Sequence, residues 1–99
     1  MTDKLNDTER EASIAPLLAS GWEMVDGRDA IYKKFVFANF VEAFGFMSRA
    51  ALHAEKLNHH PEWSNVYKTV EVTLTTHDAD GLSALDATLG AKLDQLAGG

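Results

Sequence analysis

Within residues 70–76, the apolar side chains of Val70, Val72 and Leu74 alternate with the polar side chains of Glu71, Thr73 and Thr75. Because successive side chains of a strand point to opposite faces, this alternation predicts a β-strand with one buried face. Such a strand needs neighbours that complete its backbone hydrogen bonds and a second layer that covers its apolar face. The fold of this chain must therefore contain a sheet with one buried face, while the other face can meet water or a partner.

Three other segments supply the neighbouring strands. Residues 22–25 and 31–37 are rich in aromatic and β-branched side chains, and the polar run 26–29 between them contains Gly27, so they predict a β-hairpin. Residues 63–67 precede the alternating segment and are separated from it by Lys68 and Thr69. The sequence thus predicts four strands, of which the first two form a hairpin.

Three segments have helical periodicity. Residues 7–20 form the first, and Pro16 predicts a kink in it. The second begins after Asn39, a good N-cap with Glu42 three residues later, and extends to about residue 58. Its predicted apolar stripe consists of Phe40, Phe44, Met47, Ala51 and Ala54. The third covers residues 83–97, with Leu85, Leu89, Leu93 and Leu96 predicted to face inward.

The predicted order is α-β-β-α-β-β-α, an α+β sandwich with helices on one face of the sheet. A chain of 99 residues with 45% apolar content can bury one core and has no room for a second. We expect residues 1–99 to form a single domain whose ends, residues 1–5 and 98–99, are frayed.

The charges and the first residues indicate what the chain does not bind. Nine Lys and Arg stand against 15 Asp and Glu, and the basic residues are scattered, so no gathered cations are available for a nucleic-acid backbone. Residues 1–11 are polar where a signal peptide needs an apolar stretch, and no segment approaches the ~20 apolar residues of a membrane span. We expect a cytoplasmic protein without direct contact to nucleic acid or membrane.

Three of the four histidines lie where predicted elements end: His59 and His60 after the long helix, and His77 after the last strand. An unperturbed imidazole, with a pKa of ~6.5, exchanges protons near neutrality. Glu55 precedes His59 by four residues, so on a continuing helix its carboxylate could contact that imidazole and fix the tautomer. The histidines therefore predict either an acid/base cluster or, more simply, side chains that cap a helix C-terminus.

A metal site is a weaker interpretation of the same residues. Cysteine is absent, which excludes thiolate ligands and a Cys nucleophile, and adjacent histidines rarely aim at one ion. We expect no metal. Trp63 and Tyr67 share a strand face and could pack in the core or stack on a flat heterocycle. Asp78 and Asp80 are typical turn formers, and Asp86 is typical of the first turn of a helix.

A long, ordered set of residues resembles the signature of the pterin-4a-carbinolamine dehydratase family. The central matches are Glu55, His59, His60, Pro61, Glu62, Trp63, Asn65, Tyr67, Thr76, His77, Asp78, Gly81, Leu82 and Asp86, whereas Asn58 stands where some relatives carry Asp. Further matches lie upstream at residues 21–22, 27–31, 35, 37 and 44–47. The resemblance thus covers nearly the whole chain.

This resemblance implies a fold of three helices packed on one face of an antiparallel four-stranded sheet. It also implies a lyase that removes water from a 4a-hydroxytetrahydropterin left by an aromatic amino acid hydroxylase and so recycles tetrahydrobiopterin. It implies His59, His60 and His77 as the active-site imidazoles, and we assign proton transfer to His59 and His77 and substrate holding to His60. The implied substrate pocket consists of Glu55, His59, His60, Pro61, Thr76, His77, Asp78 and Ala79, with support from Trp63 and Asp86. The pterin is the substrate, and no cofactor is expected.

The resemblance also implies an alternative function, and the apolar surface of the chain predicts an oligomer. Animal members of the resembled family act as dimerisation cofactors of a homeodomain transcription factor, which implies a protein-interaction module as the alternative. The intact histidine pattern favours the enzyme. The long helix carries more apolar surface than one sheet face covers, and an open sheet has unpaired edges. We therefore expect a homodimer or homotetramer, as the resembled family also forms.

Overall fold

The computed structural model describes residues 2–98, so the fraying expected of residues 1 and 99 lies outside the described residues. Eight regular elements follow one another: α1 (Asp7–Ser13), α2 (Ala15–Ala19), β1 (Glu23–Met24), β2 (Ile31–Val36), α3 (Phe40–Leu57), β3 (Glu62–Val66), β4 (Thr69–Leu74) and α4 (Ala84–Leu96). A short 3-10 turn, His77–Ala79, separates β4 from α4. The predicted α+β class is confirmed.

One antiparallel sheet contains the four strands in the order β1-β2-β4-β3. In β4 the predicted alternation is confirmed, because Val70, Val72 and Leu74 are fully buried. The predicted strand ends differ by one or two residues: β1 pairs only at Glu23 and Met24, and β4 ends at Leu74. The outer strands β1 and β3 leave one side of their backbone unpaired within the sheet.

The first helix is not the single kinked helix that was predicted. Two helices, α1 and α2, meet at Ile14, and Pro16 lies in the first turn of α2. A proline there is tolerated because backbone N–H groups of a first turn have no partner within the helix. The described chain therefore contains four α-helices instead of three.

The core joins the buried face of β4 to side chains from three helices. Its helical members are Leu17 of α2, Ala43, Phe46, Ala50 and Ala54 of α3, and Leu89 and Leu93 of α4. Leu85 and Leu96, also predicted to face inward, are half-buried. The placement of all helices on one face of the sheet stays a prediction.

The buried stripe of α3 differs from the predicted one. Phe40 and Phe44 are 46% and 57% exposed, and the core face consists mainly of alanines around Phe46. Ala54 is the one buried residue common to both stripes. Alanines allow a helix backbone to pack closely on a sheet, whereas the apolar pattern of this helix extends over more than one face. The sequence therefore did not reveal which stripe is buried.

Asp29, in the turn between β1 and β2, ties distant parts of the chain together. Its carboxylate accepts two hydrogen bonds from the guanidinium of Arg10, at 2.7 and 2.6 Å, and a third from the Leu82 N–H. These contacts, chiefly the bonds from Arg10, lower the pKa of Asp29. A Cβ at Gly81 would lie 2.2 Å from Asp29 Oδ2, so this close approach requires glycine.

We expect Asp29→Asn to lower the free energy of unfolding at pH 7 by about 2 kcal/mol, because it removes a charge-assisted pair of hydrogen bonds. The lowered pKa means that the ionised form stabilises the fold above the ordinary aspartate pKa of ~3.9, and that this contribution disappears as pH falls through the folded-state value. The difference from wild type should therefore shrink in acid. Urea unfolding at pH 7 and pH 3 measures it, with the exposed Asp26→Asn as control. Equal stability of both variants at pH 7 would contradict the expectation.

Candidate active site

His59 is placed by the end of α3. Asn58 adopts a left-handed conformation with φ of +53°, and the His59 N–H donates to the Ala54 carbonyl at 3.0 Å. Asparagine tolerates this conformation, which ends the helix and turns the chain. The terminal carbonyls are thus capped by backbone N–H groups. The imidazoles of His59 and His60 bond to carboxylates instead.

A buried carboxylate holds His59. Asp86, in the first turn of α4, is fully buried, and its Oδ1 lies 2.6 Å from His59 Nε2. Its Oδ2 accepts hydrogen bonds from the Thr76 hydroxyl at 2.7 Å and from the Ser83 N–H at 2.9 Å. The Thr76 and Ser83 hydroxyls are 2.6 Å apart. Both oxygens of the carboxylate are therefore occupied, which a buried charge requires.

The expected contact between Glu55 and His59 is wrong. Glu55 Oε1 lies 2.9 Å from Nε2 of His60, and both side chains are mostly exposed. The prediction assumed a continuing helix, but α3 ends at Leu57 and the left-handed Asn58 changes the direction of the chain. The partner of His59 is Asp86, which local spacing indicated only as a helix-dipole residue and which the resemblance implied only as support for the pocket. Its one local signal was the capping pattern formed with Ser83.

His77 lies at the start of the 3-10 turn, on a loop that two backbone hydrogen bonds between Thr76 and Gly81 close. Its imidazole is 79% exposed, and Nε2 lies 3.2 Å from Glu62 Oε2. Asp80, predicted to form a turn, has φ of +56° and ends this 3-10 turn. The turn therefore holds His77 at the surface, next to the first residue of β3.

Glu62 is paired with Arg28, and sequence reasoning missed both as functional residues. The guanidinium donates two hydrogen bonds to the carboxylate, at 2.9 and 2.8 Å. These bonds are the main reason that the pKa of Glu62 falls to about 2. The two residues are 34 positions apart, so no local spacing indicated their pairing. Their matches to the family pattern were the only signal.

The three predicted histidines line one cavity of about 570 Å³. Thr76 and Asp78, also predicted, share its lining, and Thr75 and Leu85 are further members. A second cavity of about 300 Å³ shares Thr75, Thr76 and His77 with the first and is also lined by Arg28 and Asp29. The fold thus brings the three histidines together at one cavity, although His77 lies far from His59 and His60 in the sequence.

Several other predicted residues do not line either cavity. Pro61 and Ala79 are half-buried neighbours of the lining, and Glu55 lies behind His60. Trp63 is half-buried and packs against the core, whereas Tyr67 is exposed at the β3–β4 turn. Their contact with a substrate stays a prediction.

The arrangement provides groups for proton transfer. Each of the three imidazoles bonds to a carboxylate through Nε2. When that nitrogen carries the proton, Nδ1 is left for exchange with a ligand. Within residues 2–98, no group of three or more His, Cys, Asp or Glu could hold a metal ion. No helix in the same range is long and apolar enough to cross a membrane.

Comparisons with known proteins match this chain to one family. The profile of the family described as Pterin 4 alpha carbinolamine dehydratase matches residues 3–96. A Roseobacter denitrificans protein of that family name is 66% identical over 98 residues, which are 99% of this chain and all of that protein. The Drosophila melanogaster protein named Pterin-4-alpha-carbinolamine dehydratase is 52% identical over 97 residues, 98% of this chain and half of that protein.

A solved structure gives the same result. The crystal structure of a transcriptional coactivator/pterin dehydratase from Brucella melitensis has a TM-score of 0.89 and 47% sequence identity. The match covers 97% of this chain and all of that one. With this fold, these histidines and this extent of similarity, the chain belongs to the pterin-4a-carbinolamine dehydratase family.

Proposed function

We propose that this protein dehydrates a 4a-hydroxytetrahydropterin by histidine acid/base catalysis in the cavity of His59, His60 and His77. Family membership supports the dehydratase activity. The observation that carries the mechanism is the convergence of three imidazoles on one cavity, each bonded through Nε2 to a carboxylate. An enzyme that leaves a hydroxyl at C4a, such as an aromatic amino acid hydroxylase, must supply the substrate.

The reaction breaks the C4a–O bond and the N5–H bond of the substrate. Hydroxide is a poor leaving group, so an acid must protonate the oxygen, which then departs as water. The N5 lone pair forms the new C4a=N5 bond, and a base removes the N5 proton, which gives the quinonoid dihydropterin. One imidazole acting as acid and another as base satisfy both steps, and neither step needs a redox change.

His59 and His77 are the proposed proton-transfer pair, and His60 holds the substrate. His59 is 92% buried and locked by a carboxylate that is itself fixed by Thr76 and Ser83. A side chain held in one orientation costs no reordering when substrate binds. His60 and its partner Glu55 are both exposed, which suits contact with a substrate that enters and leaves.

We expect His59→Ala and His77→Ala each to lower the dehydration rate by about 10²-fold, because each removes a proposed proton-transfer group. His53→Ala is the matched control, since His53 is a half-buried histidine of α3 outside the cavity lining. The rate is followed by absorbance after rapid mixing with freshly generated carbinolamine, and thermal unfolding is measured in parallel. A double variant as active as wild type would sink the mechanism.

Asp86→Asn should lower turnover by about 10²-fold or more, because an amide of the same size no longer holds His59 in one tautomer. It should also lower the free energy of unfolding by about 2 kcal/mol through the disturbed buried network. Asp94→Asn is the matched control, since Asp94 lies on the same helix and accepts bonds from Lys33, Trp22 and Ser20 away from the cavity. The Asp94→Asn variant should be less stable than wild type but have the same turnover per folded molecule. Equal turnover of the two variants would contradict the role of Asp86.

The outer side of α3 supports an assembly of copies of this chain. Phe40, Val41, Phe44 and Leu52 are 46%, 77%, 57% and 73% exposed, and β3 is an open sheet edge. Exposed apolar rows of this kind are typical of protein interfaces. We propose that a second copy covers them in a homodimer or homotetramer. The same row favours the alternative function, a protein-interaction module, as the second candidate.

We expect light scattering after size exclusion to give a mass at least twice the 10.8 kDa of one chain. Phe44→Glu should shift the mass toward the monomer, because it places a charge in the proposed apolar interface. Lys56→Glu, at an exposed polar position of the same helix, is the control and should leave the mass unchanged. A wild-type monomer at high protein concentration would rule out the proposed assembly.

A further inference from the structure

We infer that Glu62, held by Arg28, is a positioning residue that fixes the orientation and tautomer of His77. Glu62 lines neither cavity, so the role assigned to it is exerted through the imidazole. The inference rests on the proposed function for its effect on turnover. Its effect on the imidazole is measurable without any substrate.

Arg28, Glu62 and His77 come from three separate segments of the chain. Arg28 lies in the β1–β2 turn, Glu62 is the first residue of β3, and His77 begins the 3-10 turn after β4. Glu62 pairs with Thr73 across β3 and β4, so its backbone is fixed by the sheet. Its carboxylate then lies between the two other side chains, within 2.9 Å of the guanidinium and 3.2 Å of His77 Nε2.

The charge of Glu62 decides which nitrogen of His77 carries the proton. The bonds from Arg28 lower the pKa of Glu62 to about 2, so the side chain is a carboxylate at any pH near neutrality. A carboxylate only accepts hydrogen bonds, and therefore the bonded Nε2 must be the protonated nitrogen. Neutral His77 then has its lone pair on Nδ1. This gives His77, one member of the proposed proton-transfer pair, one defined reacting atom.

Arg28 makes this effect possible at an exposed site. A solvent-exposed ion pair alone is weak, because two flexible side chains must be ordered for a screened attraction. Here the planar guanidinium binds both carboxylate oxygens, so Glu62 is already ordered when His77 approaches. Glu55, the partner of His60, differs because it is 81% exposed. Of the two exposed imidazoles, His77 has the more firmly held acceptor.

The first test is the tautomer of His77 read from its imidazole ¹⁵N chemical shifts at a pH where the ring is neutral. We expect mainly the Nε2–H form in wild type and a mixture of both forms in Glu62→Gln, since the amide can also donate to the ring. Glu71→Gln is the control, because Glu71 accepts a bond from Tyr32 and from no histidine in the described chain. Identical His77 shifts in wild type and Glu62→Gln would overturn the inference.

The second test is a double-mutant cycle on turnover. Glu62→Gln should lower kcat about tenfold with a smaller change in KM, a loss typical of residues that orient a site histidine. In a His77→Ala background the same change should have no further effect, because the imidazole it positions is gone. A loss that persists in that background would show a different role for Glu62. If wild type shows no turnover, the proposed function fails, and the ¹⁵N shifts still decide the positioning.

Discussion

A buried charge joins three parts of the chain at one end of the sheet. The Asp86 carboxylate is fully enclosed, and its partners come from the end of α3, the segment after β4 and the approach to α4. Burying this carboxylate without partners would cost several kcal/mol, so all three segments must be in place when Asp86 is buried. The position of His59 is therefore a consequence of how the core is completed and not a separate feature of a surface loop.

The three imidazoles differ in how firmly their carboxylates are held. Asp86 is fixed by buried hydroxyl and backbone donors, Glu62 by a guanidinium, and Glu55 is largely surrounded by solvent. This gradation parallels the assignment of roles, since proton transfer needs a defined nitrogen and substrate holding tolerates movement. The two firmly held imidazoles are those to which proton transfer is assigned. His59 is held in a buried environment by Asp86, whereas His77 is held at the surface by Glu62.

The sequence predicted the strands and their succession along the chain well, because alternation and turn residues are local properties. The buried face of β4 and the hairpin around Gly27 are direct examples. It failed where geometry depends on a break in regular structure, as at Asn58, whose left-handed backbone separates His59 from Glu55. It also failed for Arg28 and Glu62, because partners so far apart in the chain leave no periodic signal. The buried stripe of α3 was ambiguous because apolar residues occupy several of its faces.

The two sides of α3 are under different constraints on sequence change. A larger side chain at Ala43 or Ala50 would push the helix away from the sheet, and the shift would reach its C-terminal end, where His59 meets Asp86. Replacements at Val41 or Leu52 meet mainly solvent within one chain and leave that geometry alone. Changes at these outward positions can therefore leave the position of His59 unaltered, whereas the alanine face must stay small. The fold of one chain thus constrains mainly one side of this helix, the side that sets the position of His59.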